Sequence, residues 1–331
     1  MNLTTEQINS YDYIIVAFSG GKDSQAMFLD LLERGADKSK IELWHHIIDG
    51  REGSMLMDWY CTEDYCRKFA EAFGIPIYFS WKEGGFEREM LRDETPTAQN
   101  HFEYPNPEDD NIVECGLSGG KGPNGRRHKF PQVSADLSVR WCSAYLKIDV
   151  CTAAINNQER FRGKRTLVLT GERAEESSAR AKYKAFEPDR SDRRNGKRIQ
   201  RHVDHWRSIQ NWSETAVWEV IERFQILSHP AYRLGWGRLS CIACIFGSKH
   251  QFASLNVLNP EQAQKIISYE NQFGVTIKRK KSVEELIAEG IPYQMDKETM
   301  EQALEKEYSQ PIIVDNWTLP AGAFGENTGP S

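Results

Sequence analysis

The stretch Ser19-Gly20-Gly21-Lys22-Asp23-Ser24 constrains this 331-residue chain more than any other. It follows an apolar run, Tyr13 to Phe18, and precedes an amphipathic one, Gln25 to Arg34. That order spells strand, glycine-rich turn, helix. Adjacent glycines carry no Cβ, so backbone amides can approach an anion closely. The first turn of the new helix points its unpaired N–H groups at the same place. Lys22 adds a cation, and Ser19 and Ser24 add hydroxyls. The loop is not a Walker A motif, which needs four residues between its first glycine and a Gly-Lys-Ser/Thr end.

The flanking pattern is that of an α/β protein. Residues 41–49 read as a strand after a helix closed by Gly35, which implies a right-handed crossover and a parallel sheet. Asp49 then falls at a strand's C-terminal end, where open α/β sheets bind ligands. Residues 55–73 read as a helix, 75–79 as a strand, 140–160 as a helix and 166–171 as a strand. The expected fold is a parallel sheet flanked by helices. Cys61 and Cys66, five apart within one helix, read as buried, inert thiols.

Between residues 94 and 133 the periodicity dissolves into prolines and glycines, which reads as a long loop. It ends in Arg126-Arg127-His128-Lys129-Phe130, either a solvated loop or a phosphate-backbone contact. Arg173, Ser177 and Arg180 follow Gly171 at helical spacing, on one face. A cationic stripe at a helix start opposes the dipole unless an anion sits there. Residues 187–201 read as a mobile basic loop. Ser213 caps a helix whose buried stripe is Val217, Val220, Ile221 and Phe224.

Asn259-Pro260-Glu261-Gln262 opens one C-terminal helix and the capping box Ser282 to Glu285 another. A third is expected over 297–308, with an extended strap from Pro311. The expected division is a nucleotide-binding domain over 1–250 and a helical extension with tail over 251–331.

The net charge of −6 leaves no global basic field, so any nucleic-acid contact must be a local patch. Residues 1–12 are polar, and no apolar run approaches the roughly 20 residues of a membrane span. The expectation is a soluble, cytoplasmic protein. Seven cysteines, an odd count without regular spacing, point to thiol or metal chemistry over a disulfide framework.

The hexapeptide resembles the PP-loop of ATP pyrophosphatases, which cleave ATP between the α and β phosphates. Four further stretches follow it in order: Arg140-Trp141-Cys142 with Leu146-Lys147, Gly171 to Arg180, Trp212-Ser213 with His229-Pro230 and Tyr232, and Cys241 with Cys244. Over residues 10–250 the chain is similar to the phosphoadenosine phosphosulfate (PAPS) reductase family. Within it the chain is most similar to DNA phosphorothioation enzymes of the DndC and SspD type. The resemblance implies an adenine nucleotide alpha hydrolase-like fold that binds ATP and Mg²⁺. Ser19, Gly20, Gly21, Lys22, Asp23, Ser24, Asp49, Gly171 and Ser177 would hold the nucleotide, with Asp23 or Asp49 on the magnesium. Lys22, Asp23, Arg173, Arg180, Cys241 and Cys244 would carry the chemistry.

No cysteine follows Cys244, so the tail holds no thiol to attack a sulfonucleotide, as a reductase's does. The intact loop with its cysteines favours ATP-driven sulfur insertion. Cys142, Cys241 and Cys244 would hold a [4Fe-4S] cluster, with Cys115 or Cys151 as fourth ligand or one iron left open. A structural zinc and a persulfide-carrying thiol pair are the alternatives. The implied partners are DNA or another nucleic acid, a cysteine desulfurase as sulfur donor, and other subunits of a modification complex. Basic loops at 126–129, 190–201 and 278–281 would track the nucleic-acid backbone. A sulfonucleotide reductase, a tRNA thiolase and a nucleotide-sensing subunit are the competing readings.

Overall fold

A computed structural model describes residues 2–134 and 136–326. Among them one eight-stranded sheet runs in the order β5-β4-β3-β2-β1-β6-β8-β7. Its strands are β1 (Tyr13–Ala17), β2 (Ile41–Ile47), β3 (Ile77–Lys82), β4 (Gln99–Pro105), β5 (Val113–Gly119), β6 (Arg165–Leu169), β7 (Phe186–Pro188) and β8 (His202–Trp206). The central five pair in parallel. Antiparallel strands close both edges. Strand order reverses at β1, flanked by β2 and β6, and such a switch point opens a crevice at the strands' C-terminal ends.

The helices are α1 (Thr5–Asn9), α2 (Lys22–Glu33), α3 (Thr62–Phe73), α4 (Gly85–Met90), α5 (Trp141–Ser143), α6 (Asp149–Asn157), α7 (Glu214–Arg223), α8 (Pro230–Arg233), α9 (Lys249–Leu258), α10 (Pro260–Phe273), α11 (Val283–Glu289) and α12 (Lys297–Leu304). A π turn over Ala144–Ile148 joins α5 to α6.

The continuous apolar run of β1 follows from cover on both faces. Ile14 and Val16 enter a cluster with Phe28, Phe69 and Val220 of α2, α3 and α7. Ile15, between them, faces Ala154, Ile155 and Phe161 on the other side. A third cluster joins Ile48, Trp59, Trp141, Trp236 and Ile242 to Leu255, Ile266 and Leu286 of α9, α10 and α11. The C-terminal helices therefore share a core with the segments that carry Cys142, Cys241 and Cys244. No helix among the described residues is long and apolar enough to cross a membrane.

Three expectations need correction. The helix expected over 55–73 starts only at Thr62, because the Met57 and Asp58 amides donate to Asp49 Oδ2, both at 2.8 Å, instead of entering a helix. Residues 94–133 contain the hairpin of β4 and β5, registered from Gln99 opposite Gly119 to Pro105 opposite Val113. Residues 171–180 form no helix: two short 3₁₀ turns flank Ser177, whose backbone is extended. The tail does run as a strap. Ile313 bridges Ile226, and the Trp317 indole N–H donates to the Ile226 carbonyl at 2.9 Å.

Candidate active site

The loop after β1 turns at Gly20, whose φ of +77° favours glycine. Three of its amides are already committed. Ser19 N–H donates to Ser24 Oγ at 3.2 Å, and Gly21 N–H to Ser19 Oγ at 3.3 Å. Lys22 N–H donates to the Tyr232 hydroxyl at 2.9 Å, and so does Leu239 N–H at 3.0 Å. A Cβ on Gly21 would stand 3.2 Å from both Leu239 Cβ and the Tyr232 hydroxyl. The segment Trp236 to Ser240 therefore lies directly over the loop.

Lys22 is 1% exposed. Its Nζ donates to the Gly237 carbonyl at 2.8 Å and lies 3.4 Å from Glu214 and 3.9 Å from Asp23. Burial opposes its charge, but Tyr232, Asp23 and Glu214 outweigh burial and hold the ammonium above its ordinary range. Burial also pushes the Asp23 carboxyl up, and Lys22 and Arg173 more than reverse that, so Asp23 is held ionised.

The loop after β6 comes close to this turn. A Cβ on Gly171 would stand 3.1 Å from the Asp23 backbone carbon and oxygen. Arg173, 2% exposed, donates Nε to Asp23 at 2.6 Å and Nη1 to Glu175 at 2.6 Å. Arg180 is paired with Glu176, and Arg238 Nη2 lies 3.4 Å from that same carboxylate. Ser177 Oγ accepts from Arg180 N–H at 3.2 Å. Arg173 and Arg180, expected to face a phosphate, are thus each paired with acids of the same two loops, and no stripe on a helix face exists.

Asp49 sits one strand over. Its Oδ2 accepts from Met57 and Asp58, while Oδ1 is buried without a hydrogen-bond partner. Burial pushes its carboxyl up to about 7 against those two amides, with the Asp58 and Glu87 charges adding to the rise. The same segment holds the thiol loop. Ile242 N–H donates to the Met57 carbonyl at 2.8 Å, and the Trp59 indole donates to the Ser240 carbonyl at 3.0 Å. Asp49 thereby helps set where Cys241 and Cys244 stand.

Cys142, Cys241 and Cys244 converge. All three pack against one hydrophobic cluster and lie within electrostatic reach of one another. Burial, then Cys244, pushes the Cys142 thiol up to about 11; Lys147 works the other way. Burial also drives Cys241 well up, opposed chiefly by Lys147. Cys115 is exposed on edge strand β5, and Cys151, further along the α5–α6 helical run from Cys142, packs with Ile15 and Trp44. Neither can complete the trio.

A four-thiolate cluster does not fit this donor set. Among the described residues, no three His, Cys, Asp or Glu side chains are arranged to hold a metal. Magnesium fits better, since it is commonly held by one or two carboxylates plus phosphate oxygens. Asp49 Oδ1 is the oxygen left open for it, while Asp23 is taken by Arg173 and Lys22.

Tyr232 and Lys147 belong to the site although sequence reasoning gave them no role. Lys147 ends the Arg140–Lys147 stretch and Tyr232 the His229–Tyr232 stretch, which is the signal that could have found them. Cys61 and Cys66 are fully buried, as expected, each with its sulfur 3.4 Å from a histidine nitrogen.

Comparison with known proteins adds three findings. The chain is 24% identical over 277 residues to an uncharacterized 37.8 kDa protein of Escherichia phage 186, covering 77% of this chain and 74% of that one. Candida glabrata FMN adenylyltransferase, solved with FMN and an ATP analogue, overlays 93% of this chain and 79% of its own, with a TM-score of 0.39 and 11% identity. Residues 122–246, which carry Cys142, Arg173, Cys241 and Cys244, match the phosphoadenosine phosphosulfate reductase domain.

Proposed function

We propose that the chain is an ATP-using enzyme of the PP-loop type that inserts sulfur into a nucleic-acid backbone. The observation that carries this reading is spatial. Trp236 to Ser240 covers the Ser19–Ser24 loop, and Cys241 follows at once. The Ser19–Ser24 loop and the Cys241–Cys244 pair therefore lie against two ends of one short segment.

ATP would enter over Ser19 to Ser24 after Gly237 and Leu239 withdraw from Lys22 and Gly21. Lys22 and the loop amides would then face the leaving pyrophosphate and stabilise its charge. Magnesium, held through Asp49 and phosphate oxygens, would neutralise further charge there. A non-bridging oxygen of the acceptor phosphate attacks the α-phosphorus, pyrophosphate leaves, and the acceptor is adenylated. The outer sulfur of a persulfide on one thiol of the Cys241–Cys244 pair then bonds to the acceptor phosphorus, and AMP leaves. The second thiol attacks the inner sulfur, releases the phosphorothioate and closes a disulfide. An external dithiol reductant resets the pair, and a cysteine desulfurase reloads the sulfur.

Cys241→Ser separates the two halves. The variant is expected to retain ATP cleavage and to lose sulfur incorporation, read by mass spectrometry of nuclease-digested product. Sulfur on a base instead of the backbone would replace this reading with tRNA-type thiolation. Loss of ATP cleavage as well would assign the cysteines a structural role.

A further inference from the structure

Three basic loops were candidates for contact with a nucleic acid, and the structure treats them differently. In the loop over 190–201, Arg190 lies 3.4 Å from Asp149, Arg194 bonds Asp204 at 2.6 Å, and Arg201 is buried against Asn156. In the loop over 278–281, Lys278 donates to the Ile245 carbonyl at 2.9 Å and Lys281 pairs with Glu289. These five cations hold the chain to itself. Arg126, Arg127 and Lys129 instead converge with Arg92 on one cavity of about 150 Å³.

The cavity is built by the backbone. Arg127 N–H donates to the Arg92 carbonyl at 2.8 Å, and Gly125 N–H to the Thr95 carbonyl at 2.9 Å. His128 then takes a φ of +46°, a costly conformation for a residue with a Cβ, and such outliers gather at ligand clamps. Arg127 is held rigid. Its guanidinium lies 4.6 Å from the Trp141 ring centre and 5.0 Å from that of Tyr145, and it bonds Glu89 at 2.7 Å.

Charge and size narrow the ligand. Four cations line the cavity and no carboxylate does. Glu89, beside Arg127 and Arg92, and Asp93, 3.0 Å from Arg126, stand behind them and offset two of the four charges. Gln132 and Ser138 add an amide and a hydroxyl to the wall. At roughly 30 Å³ per water the space equals about five waters. That admits a tetrahedral oxyanion and falls below the ~300 Å³ at which pockets for larger ligands begin. The rim is open: the Arg126 side chain is 63% exposed, so a chain can continue outward from an anion seated inside. Trp141 forms one wall and directly precedes Cys142.

We propose that this cavity is a subsite for a phosphate of a nucleic-acid strand, seating the acceptor beside the thiol segment. The identity of the strand as acceptor rests on the proposed function; the anion site itself does not.

The test uses the full chain, a fluorescent single-stranded 20-mer and inorganic phosphate. The double variant Arg126→Ala/Lys129→Ala changes only exposed side chains. It is expected to bind the 20-mer about tenfold more weakly and to lower the slope of log affinity against log salt by about 1.4, two contacts at ~0.7 each. Millimolar inorganic phosphate should compete with the 20-mer on the wild type and hardly on the variant. Unchanged affinity and slope would overturn the proposal, and if inorganic phosphate still binds the wild type alone, the site belongs to a small anion. Binding of a fluorescent ATP analogue by both proteins keeps the outcomes apart, because it reports on the Ser19–Ser24 loop and not on this cavity.

Discussion

At the residue scale, charge in this site is held in pairs. Asp23 is ionised because Lys22 and Arg173 flank it, whereas Asp49 has no cation to offset its burial. The Asp49 carboxyl is raised on folding, so the native state binds the extra proton between about pH 4 and pH 7. Its contribution to stability therefore falls as pH rises through that window. At 1.36 kcal/mol per unit the shift amounts to roughly 4 kcal/mol. Asp49→Asn keeps an acceptor for the Met57 and Asp58 amides and removes the titration. In metal-free buffer its denaturant midpoint is expected to vary less between pH 4 and pH 7 than that of the wild type. Equal pH dependence in both proteins would remove Asp49 as the source.

Lys147 allows a second residue-level test. It is the main group opposing the high pKa of Cys241 and also acts on Cys142. Removing its charge in Lys147→Ala should slow alkylation of both thiols at pH 8.5. A rise of half a pKa unit would cut the thiolate fraction about threefold. Lys147→Arg should restore the rate. A rate unchanged by alanine would mean that the ammonium does not reach the sulfurs.

At the element scale, local signals were legible and distant ones were not. Ser213, Asn259 and Ser282 each accept the capping bond their sequence foretold, from Ala216, Gln262 and Glu285. Such bonds span three residues and depend on little else. The strand–turn–helix at Ser19 was legible for the same reason. The hairpin of β4 and β5 was hidden because β5 reverses the usual alternation: Val113, Cys115 and Leu117 face outward while Glu114, Gly116 and Ser118 are half-buried, with prolines and glycines on either side. The helix expected after Gly171 failed because Arg173 is drawn to Asp23, 150 positions away, and Glu176 to Arg180 and Arg238.

The cover over the Ser19–Ser24 loop was equally invisible, since Tyr232 and Gly237 lie more than 200 positions from Lys22. If Trp236 to Ser240 withdraws for a triphosphate, a non-hydrolysable ATP analogue should speed amide exchange at Leu239 severalfold while slowing it at Gly21 and Lys22. Slower exchange at both places would mean that the nucleotide binds with the cover in place.

At the scale of the whole molecule, the sheet brings β1 and β6 side by side and a C-terminal strap backs the cover. Gly322 N–H donates to the Tyr232 carbonyl at 2.7 Å, and a Cβ on Gly237 would stand 2.9 Å from the Glu326 carbonyl. The strap thus backs Tyr232 and Gly237, the two residues that hold Lys22. In the proposed reaction this lysine serves cleavage of ATP at its α-phosphorus. It is tested by chromatography of α-labelled ATP products, with Mg²⁺ and oligonucleotide present. AMP and pyrophosphate are expected from the wild type and neither from Lys22→Ala. ADP as the product, or AMP formation that persists in Lys22→Ala, would contradict it.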